Sequence, residues 1–189
     1  MNYSRPLAVA TACAVLAACS NSTSTSTSDS SASPGAPGGK TIGVSIQNRE
    51  AQFYQEMENG MKAEAAKYGY SVTVVDANRD NAKQQSQVED FVSKKVDAVV
   101  LTPYDSTAIG SAIREANAAN IPVFTADIAS QSKAGTVIAH IASDNVQGGE
   151  QAGKLICQAV KSGTVAIIDE PEVTSVQDRV RGFKSALKA

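Results

Sequence analysis

The stretch Val96-Asp97-Ala98-Val99-Val100-Leu101-Thr102-Pro103-Tyr104-Asp105-Ser106 decides the fold. From Val96 to Leu101 the apolar residues run on instead of alternating with polar ones, as in a strand buried on both faces. Thr102-Pro103 closes the run, because proline has no N–H to give to a ladder. Asp105 or Ser106 can then cap a helix that carries Ile109, Ala112, Ile113 and Ala116 on one face. One strand, one short loop and one helix make half of a parallel crossover unit.

The same unit recurs on both sides. Upstream, Thr41–Ile46 is a short buried strand, followed by helical spacing from Phe53 to Lys67 and a stop at Gly69. Val72–Val75 is the next strand, and Gln84–Lys95 places Val88, Phe91 and Val92 on one helical face. Downstream, a fourth strand opens at Asn120–Phe124 and ends at Asp127, and Val137–Ile141 gives a fifth. A helix over Asn145–Lys161, a strand over Thr164–Ile168 and a helix from Ser175 onward follow. Continuous apolar strands separated by helices of about a dozen residues predict an α/β fold with a doubly wound parallel sheet. Ligands bind beyond the carboxyl ends of such strands. The relevant loops are 47–52, 76–80, 102–106, 125–132, 143–146 and 169–175.

The 189 residues carry 17 Lys and Arg against 19 Asp and Glu, a formal charge of −2, so electrostatic binding to nucleic acid is not expected. The chain has no Trp, and aromatic residues are 5% of the total, which leaves little for a base-stacking platform. No Gly-x-Gly-x-x-Gly follows the first strand, which argues against a dinucleotide cofactor. Gly35-Ala36-Pro37-Gly38-Gly39-Lys40-Thr41 imitates a phosphate loop, but its spacing is one residue short and no strand precedes it. No metal-ligand spacing, Gly-x-Ser-x-Gly or credible His-based pair appears, so no catalytic residue, metal or cofactor is assigned.

The first forty residues read as address and tether. Residues 1–18 form an export signal, with Arg5 as the positive charge and Leu7–Ala17 as an apolar core too short to span a bilayer. Leu16-Ala17-Ala18-Cys19 resembles a bacterial lipobox, which makes Cys19 the lipidated residue; a plain secretory signal is the alternative. Eleven of the fourteen residues from Ser20 to Ser33 are Ser or Thr, and a Pro/Gly segment follows, so 19–40 is expected to be a disordered tether. Cys157 lies in an apolar helical pattern and is expected to be a buried free thiol.

Four stretches together resemble the periplasmic sugar-binding proteins of the ribose-binding type, the solute receptors of ABC importers. They are Thr41–Tyr70, Val96–Ser106, Ala116–Asp127 (ANAANIPVFTAD) and His140–Gly149 (HIASDNVQGG). Arg179-Val180-Arg181-Gly182-Phe183 resembles an Arg-x-x-Gly-Phe segment on the first long helix of that family's second domain. The resemblance implies two α/β lobes with the sugar between them: a first lobe over 41–142, and the start of a second over 143–189, left incomplete. A C-terminally truncated member is therefore expected, with weak or no sugar affinity of its own.

A sugar offers vicinal hydroxyls, which carboxylates and guanidinium groups engage, and an apolar C–H face, which aromatic rings cover. By the resemblance, Phe53, Tyr54, Asp127 and Arg179 are the ligand-binding candidates. Each has a plainer alternative: Phe53 and Tyr54 as lobe core, Asp127 as a cap or turn residue, Arg179 as a surface charge. Asp178 is a candidate to orient Arg179. Where the family's ribose binders place Arg after the Asp, this chain has Ile128, and Ala51 replaces a family Asn. Gln47, Asn48, Arg49 and Glu50 are candidates for replacement contacts. His140 is expected to be structural, Asp105 a cap, and Asp169-Glu170-Glu172 a solvated loop. The function implied is capture of a monosaccharide or polyol by cleft closure without chemistry. The partners implied are an inner-membrane ABC permease and, through the lipid, the membrane, with the receptor monomeric at the periplasmic or extracellular face. A sensory binding module is the competing class, and a non-functional remnant the other outcome; a repressor's effector domain would need a DNA-binding helix pair in place of the signal.

Overall fold

The computed structural model describes residues 39–188. The signal, Cys19 and all but the last two residues of the tether lie outside them. Among the described residues, five strands form one parallel sheet in the order β2-β1-β3-β4-β5. They are β1 (Thr41–Ile46), β2 (Ser71–Asp76), β3 (Ala98–Leu101), β4 (Val123–Ala126) and β5 (Ala139–Ile141). The helices are α1 (Gln52–Lys67), α2 (Asn81–Ser93), α3 (Gly110–Ala118), α4 (Asn145–Ala159) and α5 (Thr174–Ala186). None of these helices is long and apolar enough to cross a membrane.

The register explains the unbroken apolar runs. β1 pairs with β3 so that Gly43 lies beside Val99 and Val44 beside Val100, and neighbours in a pair share a face. Val99, Leu101 and Val123 pack with Val88 and Phe91 of α2 and with Ala112, Ile113 and Ala116 of α3. Val44, Ile46, Ile42 and Val100 pack on the opposite face with Tyr54, Met57 and Met61 of α1. Both faces of the central strands are thus in use, which is why their sequence cannot alternate. A side chain at Gly43 would collide with the Phe91 ring, so α2 sits directly on β1 there.

Local signals place the helix starts. Asp80 Oδ1 accepts from the Lys83 N–H at 2.9 Å, which starts α2 three residues before the expected Gln84. Asp105 Oδ1 accepts from the Thr107 and Ala108 N–H groups at 2.7 and 2.8 Å and opens the turn that leads into α3. Asp144 Oδ1 accepts from the Gln147 N–H at 2.9 Å and starts α4. α4 and α5 cross closely through small residues. A Cβ at Gly149 would overlap the Arg179 carbonyl, and one at Gly182 would overlap the Val146 carbonyl.

Two expectations fail here. Thr164–Ile168 forms no strand and lies exposed, with Ile168 wholly in solvent. A strand exists only as part of a ladder, and no described strand pairs with this segment. Cys157 is exposed, not buried. α4 buries Asn145, Gly149 and Gly153, while Leu155 and Val160 stay exposed, so its apolar face beyond the α5 crossing is uncovered.

Candidate ligand-binding site

The strand order changes direction between β1 and β3, and the loops beyond the carboxyl ends of β1 and β4 open onto a cavity of 330 Å³. Its lining includes Gln47, Phe53, Tyr54, Asp127, Ile128, Glu170 and Arg179. Three of the loops named from the sequence, 47–52, 125–132 and 169–175, therefore converge at one place.

Asp127 stands at the centre. It follows β4 with φ of 64°, in the left-handed region, and the Ile128 N–H donates to the Ala126 carbonyl at 2.7 Å across it. Such a positive-φ γ-turn is rare and strained, and Asp tolerates it better than most side chains. The Asp127 N–H donates to the Ile141 carbonyl at 2.8 Å, so β5 holds the turn in place. Its half-buried carboxyl is raised above the usual carboxylate range by desolvation, against the Tyr54 hydrogen bond and the charges of Arg179 and His140.

Tyr54 is buried, and its ring meets Phe53 edge-on with centroids 5.2 Å apart. Its hydroxyl lies 2.7 Å from Gln47 Oε1 and 3.0 Å from Asp127 Oδ2. Burial, and after it the Asp127 carboxylate, push the phenol well above its ordinary value, so it stays a neutral donor. Gln47 is buried as well, and its Nε2 donates to Glu170 Oε1 at 3.3 Å. A polar line thus runs Asp127–Tyr54–Gln47–Glu170 along the cavity. Phe53 is 52% exposed and turns an apolar face toward the same space.

The other sequence candidates divide. Arg179 lines the cavity, but Asp178 does not orient it: Asp178 Oδ1 pairs with Arg181 instead. The i,i+3 spacing puts those two charges on one side of α5, and Asp178 and Arg179, as neighbours, point apart. Asn48 Oδ1 accepts from the Glu50 and Ala51 N–H groups at 3.1 and 3.2 Å, which shapes the entry to α1. Arg49 pairs with Glu58, and Glu50 with Arg79, both away from the cavity. Ile128 is 1% exposed and contributes an apolar wall. His140 is exposed, with Nδ1 2.9 Å from Thr125 Oγ1. Its exposure follows from β5 lying at the sheet's edge.

Glu170 corrects the solvated-loop expectation for the acidic run. It faces Gln47, which is 123 residues earlier in the chain. A loop residue with no periodic context carries no local signal of such a contact.

A family model described as "Periplasmic binding protein domain" matches residues 42–189. The ribose import binding protein of Bacillus subtilis is 38% identical over 157 residues, covering 80% of this chain and 51% of the relative. A solute-binding protein of an Agrobacterium vitis ABC transporter, solved with α-D-tagatopyranose, superposes with a TM-score of 0.73 at 29% identity. That match covers 79% of this chain and 54% of the other. A Bacillus halodurans counterpart solved with myo-inositol gives 0.72 at 31% identity over 80% of this chain and 53% of its own. The chain spans about half the length of the relatives it matches. With its parallel sheet, its switch-point cavity and a family model covering nearly all of the described residues, this chain belongs to the periplasmic binding protein family.

Proposed function

We propose that the chain supplies one side of the sugar or polyol site of an extracytoplasmic solute receptor that serves an ABC importer. The observation that carries this is Asp127, held at a strained turn beyond β4, facing a small cavity shared with Phe53, Tyr54 and Arg179. The carboxylate accepts from ligand hydroxyls, the Arg179 guanidinium donates to ligand oxygens, and the Phe53 ring covers an apolar C–H face. The cavity lies at the small end of the roughly 300–1,000 Å³ found for ligand pockets, which suits a monosaccharide or cyclitol. Ile128 offers no donors, so the ligand must read differently here from one bound by an Arg at that position.

In this reading the site binds and does not transform its ligand. Binding closes two bodies on the ligand, and the ligand leaves unchanged to a permease. The signal over 1–18 and lipidation at Cys19 would hold the receptor at the outer face of the inner membrane through the 19–40 tether.

Isothermal titration with millimolar ribose, tagatose and myo-inositol, a range that reads the weak affinity expected of one side alone, on the chain and on Asp127→Asn and Arg179→Ala, tests the site. Binding that both variants weaken at least tenfold, with the sugar recovered intact, supports it. Binding that neither variant alters, or conversion of the sugar, overturns it. For the anchor, Cys19→Ser should move the protein from the membrane to the soluble envelope fraction; an unchanged distribution would refute lipidation there.

A further inference from the structure

Helix α5 begins without a cap of its own. Its N-cap position is Val173, whose side chain accepts no hydrogen bond, yet the first amides of a helix need partners from outside it. The Thr174 N–H finds one 68 residues upstream, donating to Ser106 Oγ at 3.1 Å. Ser106 is wholly buried; its own N–H donates to the Glu172 carbonyl at 3.0 Å, and its carbonyl accepts from the Gln131 N–H at 2.7 Å. The sequence offered Asp105 or Ser106 as the cap for α3. Neither caps α3, whose N-cap Ile109 has no side-chain bond: Asp105 holds the turn before it, and the Ser106 hydroxyl serves another helix. Thr174 completes an exchange with a second loop, since its Oγ1 accepts from the Ala129 N–H at 2.8 Å, two residues beyond Asp127. Gln131 Nε2 also donates to Gln177 Oε1 at 2.7 Å.

We infer that Ser106 is a positioning residue: it caps α5 from the β3–α3 loop, and that cap sets Arg179 across the cavity from Asp127. This exchange ties the start of α5 to the loops beyond β3 and β4. Apart from the cap, the first amide of α5 has no acceptor, and the helix that carries Arg179, although still packed on α4, loses a tie to the Asp127 side of the cavity. The use of the cap in ligand binding rests on the proposed sugar site; the cap itself does not.

The test is therefore read without ligand, on the full chain labelled with ¹⁵N. Amide exchange at Thr174 reports the cap, and the Nε–H shift of Arg179, on the cavity wall, reports its surroundings. Ser106→Ala should speed exchange at Thr174 about five- to tenfold. It should also move the Arg179 signal, while β1 and β3 amides stay protected. Thr174→Pro is the second variant: proline is favoured at the first helical position, so α5 is kept, but both bonds of the exchange are lost. It should move the Arg179 signal in the same way. Asp105→Ala, which removes only the turn before α3, should leave both signals alone. The inference is overturned if Thr174 exchange is unchanged in Ser106→Ala, if Arg179 is unmoved in both cap variants, or if Asp105→Ala has an equal effect. A sugar titration of Ser106→Ala then reads the functional half separately, with affinity expected to fall although every proposed ligand contact is retained. Unchanged affinity would confine Ser106 to a structural cap.

Discussion

The Tyr54 hydroxyl has one hydrogen and two acceptors, Gln47 Oε1 at 2.7 Å and Asp127 Oδ2 at 3.0 Å. Gln47 is oriented by its donation to Glu170, so its oxygen must face the phenol. The pair is fully satisfied when Asp127 receives a hydrogen from elsewhere, either its own proton or a ligand hydroxyl. Desolvation raises the pKa of Asp127 against the Tyr54 bond, and the same burial leaves its carboxylate open to a donor from a ligand hydroxyl.

Tyr54→Phe keeps the ring and deletes the donor. It leaves the buried Gln47 oxygen unpaired, and a stability loss of about 1–3 kcal/mol is expected from urea unfolding. Phe53→Ala, on a half-exposed ring, should cost less stability and more ligand affinity. The reverse order of the two stability losses would contradict this assignment.

Asp127 gives a pH signature with a defined sign. Its folded pKa lies above the unfolded value near 3.9, so between the two the folded state binds more protons and stability falls as pH rises. Above the folded pKa the full penalty remains. Asp127→Asn carries no charge to desolvate and suits the positive φ, so it should melt above the parent at pH 7, with the gap closing below about pH 4. A gap that widens in acid would reverse the sign.

The α4–α5 crossing depends on glycine. Gly149→Ala and Gly182→Ala each drive a methyl into a backbone carbonyl and should destabilise by about 1–3 kcal/mol. Gly60→Ala is the control: it lies mid-helix in α1 with open space around it, and should stabilise by about 0.5–1 kcal/mol. Circular dichroism melts of the three variants decide it.

The face of the sheet that carries α1 leaves a groove of 640 Å³ lined by Phe53, Met57, Met61, Phe124 and Ile141. An environment-sensitive apolar dye should bind there with enhanced emission. Ile141→Glu should reduce the emission with little change in stability, since Ile141 is 71% exposed. Equal emission from the variant would place the dye elsewhere, with the exposed Leu155 and Val165 as the next surface to test.

The legible parts of the fold were those that local physics writes into neighbouring residues. The strand over Thr41–Ile46 and the helix ending at Lys67 stand where periodicity placed them, because burial on both faces dictates apolar runs. Thr164–Ile168 is a comparable apolar run but has no ladder, and a strand is not a local property. Asp127 and Arg179, named as candidates from the sequence, line one cavity, whereas Glu170 and the Ser106–Thr174 bond were invisible. Their partners lie 123 and 68 residues away, and no periodicity spans such gaps. The Gly149 and Gly182 of the quoted motifs turn out to be the points where two helices touch.

A helix capped by a residue 68 positions earlier also carries an order in time. Loop closure over that span comes late, after the local β–α units have formed. Pulse-labelled exchange should therefore find β1 and β3 protected before Thr174, and simultaneous protection would contradict it. Made amino end first, the chain has its sheet and loop 102–106 in place before α5 can dock on them. Of the described helices, α5 is thus the last to be fixed, and the Arg179 it carries reaches its station only once Asp127 is already waiting.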